Sequence, residues 1–391
     1  MEQRDLSVWT NEKPPAFLTA ESEAAGPSAP LSGLRLAVKD LFDIKEMITG
    51  AGNPDWREGR APAARTAPTV EALIAAGAEL WGKTQTDELA YSLNGVNVHY
   101  GTPVNPAQPE RLPGGSSSGS AIAVVRGEAD IGLGTDTGGS IRVPSSYNGL
   151  YGLRPTHGAV SLEGCVPLAP MFDTAGWMCR DGATLARVGE VLLPSGREEQ
   201  AASIIPLVPD GLSQQRFRSF EQTLSEKGWA LERSARLEAD FLARASRVFR
   251  TLQGRDIWRT HGDWIERCRP RFAPDIEARF QWCRGLDLEA ERDAERERQE
   301  IVAWLERLCA GGEYLFALPT VPGAAPLRDT PSDALAGYRE TLMGLTALAG
   351  LWASPQLSMP LMQDEAHPWG LSLLGAPGQD RRLLSAIGRK K

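Results

Sequence analysis

The run Leu34-Arg35-Leu36-Ala37-Val38 alternates around a polar position, and the pattern predicts a strand that delivers Lys39 at its end. Val70, Leu73 and Ile74 recur at helical spacing within residues 66–77, a helix for which Gly77 is a plausible stop. Ala78-Glu79-Leu80-Trp81-Gly82 predicts a short strand, and residues 86–93 a second helix. Residues 118–126 read as a helix launched from a Gly/Ser loop, with residues 129–134 as the strand that follows. Residues 1–30, rich in Pro, Ala and Glu, read as an irregular or partly docked arm. Strands alternating with helices predict an α/β layer architecture with a mixed or parallel sheet.

Residues 181–310 differ in texture: they are rich in Arg and Glu and carry Trp229, Trp258, Trp264, Trp282 and Trp304. Residues 288–308 predict one amphipathic helix with charge pairs on its outer face, and the charge run at 289–300 reads as a solvated face. Apolar runs return in Leu315-Phe316-Ala317-Leu318-Pro319-Thr320 and Leu371-Ser372-Leu373-Leu374-Gly375, both expected to be buried strands. With no internal repeat and no long low-complexity linker, one continuous domain over 1–391 is favoured over two.

Composition narrows the function. A chain of 391 residues with 42% apolar and 24% charged residues is expected to fold as a soluble globular protein. Its net charge of -8 argues against nucleic acid and against an anionic membrane surface as partners. No stretch approaches the roughly 18 apolar residues of a membrane span, and Met1-Glu2-Gln3-Arg4-Asp5 lacks the apolar core of a signal peptide. Cys165, Cys179, Cys268, Cys283 and Cys309 are odd in number and widely spaced, so neither a zinc site nor a disulfide framework is indicated. A reducing, cytoplasmic setting and no metal or organic cofactor are the expectation.

The chemistry concentrates in two Ser/Gly loops and one lysine. Ser116 lies in Pro113-Gly114-Gly115-Ser116-Ser117-Ser118-Gly119-Ser120, and Ser140 follows 24 positions later in Thr135-Asp136-Thr137-Gly138-Gly139-Ser140-Ile141-Arg142. A serine hydroxyl needs a base to become a nucleophile. None of His99, His157, His261 and His367 sits in a motif that suits a nucleophile's partner, and His157, nearest the Gly-rich core, reads as structural. Lysine can serve if burial or nearby cations lower its pKa from about 10.4. Alone, Lys39 would read as an ion-pair partner of Asp40 or Asp43; beside the two serine loops it becomes the candidate base. Backbone amides of Thr137, Gly138, Gly139 and Ser140 could stabilise the oxyanion of an acyl transfer. Asp136 reads as a brace for that loop, Ser117 and Ser118 as supporting residues. A phosphate cradle fits less well, because no Gly-Lys-Ser/Thr follows and Gly132-Leu133-Gly134 lacks a third glycine.

The stretch from Lys39 to Gly176, and more weakly Leu318–Gly323 and Gly370–Gly375, closely resembles the amidase signature family, the Ser–cisSer–Lys amidohydrolases. The resemblance implies that fold: a central mixed β-sheet flanked by helices on both faces. It implies a catalytic core at about 31–180 and 314–391 and a helical, Trp-rich, substrate-side region at about 181–313. It implies Ser140 as nucleophile, Ser116 as a bridging serine with a cis peptide bond and Lys39 as base, with the 137–140 amides as oxyanion hole. Gly52-Asn53-Pro54-Asp55-Trp56, the segment from Asn94 to Pro103 and Phe172-Asp173-Thr174-Ala175-Gly176-Trp177 are similar to plant-type indole-3-acetamide hydrolases. This implies a small-molecule monoamide substrate, indole-3-acetamide being one candidate, with pocket walls from Met171, Phe172, Asp173 and Thr174 and from residues 250–305. Family members are often homodimers, and a homodimer stays open. Two rivals share the resemblance: the glutaminase A subunit of a tRNA-dependent amidotransferase, and a non-enzymatic amidase-like binding module.

Overall fold

The computed structural model describes residues 5–196, 203–364 and 366–387. Its centre is one sheet of ten strands among the described residues. They are β1 (Arg35–Lys39), β2 (Glu79–Thr84), β3 (Ile131–Asp136), β4 (Tyr151–Arg154), β5 (Thr174–Cys179), β6 (Ser203–Pro209), β7 (Ala235–Leu237), β8 (Tyr314–Pro319), β9 (Gln356–Asp364) and β10 (His367–Leu374). Their spatial order is β2-β1-β3-β5-β4-β9-β10-β8-β6-β7. Pairing is parallel toward both edges, β2 on β1 on β3 and β8 on β6 on β7, and antiparallel from β3 through to β8. The sheet is therefore mixed.

The helices are α1 (Ala16–Ala24), α2 (Pro54–Arg57), α3 (Pro68–Ala75), α4 (Ser118–Val125), α5 (Arg142–Tyr147), α6 (Gly182–Leu192), α7 (Gln214–Lys227), α8 (Ala239–Cys268), α9 (Pro274–Gly285), α10 (Leu288–Cys309), α11 (Ser332–Leu351) and α12 (Asp380–Ser385). Strand period decides how they cover the sheet. Leu315 and Ala317 of β8 join one buried cluster with α3, α6 and α7, while Phe316 and Leu318 join another with α8, α9 and α10. Both faces are thus dry, and β3 is buried at every position.

Most sequence expectations hold, with three corrections. The 86–93 helix shrinks to one 3-10 turn, Glu88–Ala90, with Leu89 and Ala90 at φ of 46° and 60°. Tertiary bonds outcompete the helix there: Thr86 Oγ1 donates to the Ser116 carbonyl, and Glu88 accepts from Asn53 and from the Ala273 amide. The stretch at 181–313 is not wholly helical, since β6 and β7 extend the sheet. The N-terminal arm is docked more firmly than its composition suggests: Val8 and Trp9 are buried, and Thr10 and Gln85 amides tie the arm to β2 and the segment after it.

The α10 charge run also does more than face solvent. Asp287 caps the helix through the Ala290 amide, and Ala294, Ile301, Leu305 and Cys309 form its buried stripe. On the flank, Glu291 pairs with Arg255 and Arg259, and Glu297 with Arg247, all reaching across to α8.

Candidate active site

β1 and β3 run parallel side by side, so their C-terminal ends present Lys39 and the Thr135-Asp136 pair at the same end of the sheet. The segment before α4 brings Ser116 to the same place. Lys39 is wholly buried, and its Nζ donates to Ser116 Oγ at 2.8 Å and to Thr135 Oγ1 at 2.9 Å. Burial pushes the Lys39 pKa down to about 8, against the pull of Asp87 and the other nearby carboxylates. The ion-pair role open to Lys39 from sequence falls elsewhere: Asp40 pairs with buried Lys83 at 2.6 Å, and Asp43 accepts from Thr49. Thr135 was missed at the sequence level; its signal is a hydroxyl that follows the apolar, Gly-containing run Ile131–Gly134 of β3.

The Gly115–Ser116 peptide bond is cis. Around it, the Ser116 carbonyl accepts from Thr86 Oγ1 at 2.9 Å, and Ser117 Oγ donates to the Thr135 carbonyl at 3.2 Å. The Ser117 amide donates to the Ser140 carbonyl at 3.3 Å, which couples the two serine loops. Ser118 begins α4. Ser117 and Ser118 are thus supporting residues.

Asp136 organises the second loop. Its carboxylate accepts from the amides of Gly139, Ile141 and Arg142 and pairs with the buried guanidiniums of Arg142 and Arg154. Burial alone would raise its pKa; the two arginines override this and hold it well below the usual carboxylate range. Gly139 sits at φ +131°, where a Cβ would meet Val143 at 3.0 Å and Thr346 at 3.2 Å, so the loop requires glycine there. Its amide is committed to Asp136, which removes it from the expected oxyanion donors. Among the described residues no acceptor is found for the amides of Thr137, Gly138 and Ser140.

A cavity of about 440 Å3 opens over this loop, and Thr137, Gly138 and Ser140 form part of its lining. Tyr91, Tyr147, Tyr338 and Trp282 supply aromatic wall, and Leu168, Leu342 and Met343 aliphatic wall. Helices α8, α9 and α11 contribute Ser246, Arg250, Gln253, Arg279 and Arg339. From the 250–305 stretch, Arg250, Gln253, Ala278, Arg279 and Trp282 line it. The expectation for Met171, Phe172, Asp173 and Thr174 does not hold, because none of them lines this cavity. Phe172 is buried against Phe249, Asp173 is taken up by Thr137 and the amides of Leu168 and Ala169, and Thr174 donates to the Asp136 carbonyl. Met171 is exposed, with its amide on Asp256. Of these four, Asp173 and Thr174 hold the start of the loop through Thr137 and the Asp136 carbonyl. The histidines also lie elsewhere: the His157 and His261 rings hydrogen-bond the Pro170 and Pro167 carbonyls, His99 faces Glu88, and His367 begins β10.

A family model of amidases matches residues 15–225. Amidase 1 of Oryza sativa subsp. japonica is 38% identical over 92% of this chain and 90% of its own length. Amidase 1 of Arabidopsis thaliana is 37% identical over 91% of this chain and 92% of its own. Among solved structures, a crystal structure of an amidase superposes with a TM-score of 0.84 at 31% identity, covering 98% of this chain and 91% of that one. With a mixed sheet that sets a buried lysine against one serine loop, and a second serine loop lining a cavity, the chain belongs to the amidase family, hydrolases that act on amide C–N bonds.

Proposed function

We propose that the protein hydrolyses a small-molecule monoamide to a carboxylic acid and ammonia through a seryl acyl-enzyme, with indole-3-acetamide a candidate substrate. Ser140 Oγ attacks the amide carbonyl carbon while its proton passes to Ser116 Oγ and the Ser116 proton to neutral Lys39. The oxyanion rests on the amides of Thr137, Gly138 and Ser140. The C–N bond then breaks, the relay returns the proton to the leaving nitrogen, and ammonia departs. Water enters, gives a proton to the same relay and cleaves the ester, restoring Ser140.

The observation that carries this reading is the 2.8 Å bond from Lys39 to Ser116 in a dry site whose lysine pKa falls to about 8. At pH 7 about a tenth of such a lysine is neutral, against well under a thousandth of an ordinary one. The cavity lies within the roughly 300–1,000 Å3 of small-molecule sites, and its four aromatic walls suit a planar ring. Five free thiols favour a reducing, cytoplasmic setting.

The test is ammonia release from indole-3-acetamide, phenylacetamide, malonamate, glutamine and short aliphatic amides, with Ser140→Ala beside the wild type. Release by the wild type alone supports the reading and ranks the acyl pocket. Equal release by Ser140→Ala ends the nucleophile assignment, and release from glutamine alone redirects it to an amidotransferase subunit.

A further inference from the structure

The lining of the cavity is cationic in an acidic protein. Arg250, Arg279 and Arg339 reach it from three different helices, and Glu340, which is exposed, is the one acidic residue of the lining. Ser140 at the buried end is 2% exposed, whereas Arg250 is exposed and Arg339 half-buried, so the charges ring the outer part of the cavity. Their partners are uneven. Arg279 is fixed by the Tyr91 carbonyl at 2.8 Å and by Asp275 at 3.2 Å. Arg250 lies over the Trp282 ring at 5.3 Å, and neither Arg250 nor Arg339 has a carboxylate within ion-pair distance among the described residues.

Two further donors on the same wall lack partners. Arg339 Nε is buried with no hydrogen-bond acceptor, and Ser246 Oγ, on a residue 1% exposed, is likewise unpaired. Ser246, Arg250 and Gln253 stand at i, i+4 and i+7 on α8, so one stripe of that helix faces the cavity with hydroxyl, guanidinium and amide. Burial and the charge of Arg279 lower the Arg339 pKa, and the pull of Asp275 offsets them only in part. Buried polar groups are ordinarily satisfied, and donors left open along a cavity are available to a group that enters it.

We infer that the acyl part of the substrate carries a carboxylate, held by Arg339 and Arg250 with Ser246 and Gln253 as further donors. Guanidinium groups suit that anion because they donate two parallel N–H bonds to it. This rests on the acyl-transfer reading, in which the amide end lies at Ser140 and the acyl group extends outward, and it ranks a neutral amide such as indole-3-acetamide below a carboxylated one. An aromatic amide with a ring carboxylate satisfies both the aromatic walls and the basic ring.

The experiment compares phenylacetamide with its 4-carboxylate, by kcat/KM on the wild type, Arg339→Gln and Arg250→Gln, and by calorimetric binding to Ser140→Ala. The carboxylated amide is expected to have at least about tenfold higher kcat/KM in the wild type, expressed in KM and weakened by added salt. Each arginine variant should shrink that ratio. Equal constants for the two amides in the wild type, or a preference for the neutral one, overturn the inference whether or not the variants fold. Tighter binding of the carboxylate to Ser140→Ala without turnover by the wild type would keep the anion site and refute the reaction. Turnover of both at equal rates would do the reverse.

Discussion

Under the proposed mechanism, one buried side chain, Lys39, sets the pH behaviour of the site. A lysine accepts a proton only when neutral, so activity should climb as pH rises through the Lys39 pKa of about 8. Lys39→Ala is expected to lose several orders of magnitude in kcat/KM and to erase that limb; a pH–rate profile of both proteins checks this. Asp136 carries a different load. Replacing it with Asn leaves Arg142 and Arg154 buried without their anion, and breaking a buried pair costs about 3–5 kcal/mol. A matching drop in urea-unfolding stability is expected. Ser140-dependent turnover should fall with it, because the loop amides lose their common acceptor.

At the scale of elements, the site depends on how closely α4 is seated. Gly119, in its first turn, donates to the Gln85 carbonyl, and a Cβ there would lie 2.5 Å from the Val8 carbonyl oxygen and 2.7 Å from that of Gln85. Both obstacles are backbone and cannot swing aside. Gly119→Ala should therefore destabilise the fold by about 1–3 kcal/mol and displace the Ser116 loop, lowering both the melting temperature and kcat. The same element-level view explains the absent 86–93 helix. Its polar residues are spent on Ser116, Asn53 and the Ala273 amide, contacts with no trace in local periodicity.

Across the whole molecule, His261 links distant parts. It lies on α8, its Nε2 bonds the Pro167 carbonyl at 2.8 Å, and its ring meets Trp56 of α2 edge-on. Burial lowers its pKa to about 4, so the folded protein keeps it neutral while the unfolded chain protonates it near 6.5. The unfolded state thus binds more protons between those values, and stability falls as pH drops from about 6.5 to about 4. His261→Gln should shrink the loss of unfolding free energy between pH 8 and pH 5 by about 2 kcal/mol, measured by urea titration at each pH.

The sequence by itself determined the parts whose information is local or carried in long motifs. β1, β2, β3, α3, α4 and α10 follow from apolar spacing, and the proposed roles of Lys39, Ser116 and Ser140 and the Asp136 brace rest on two Gly/Ser blocks and one strand end. The tertiary structure alone decided what depends on which surfaces meet. It routed Asp40 to Lys83, which freed Lys39 for Ser116 and Thr135. It also spent the Gly139 amide on Asp136, left Met171–Thr174 out of the cavity lining while adding α11 to it, and carried β6 and β7 into the sheet. Periodicity reports which face of an element is buried. Which partner buries it, and which donor is left for a ligand, is settled only by long-range packing.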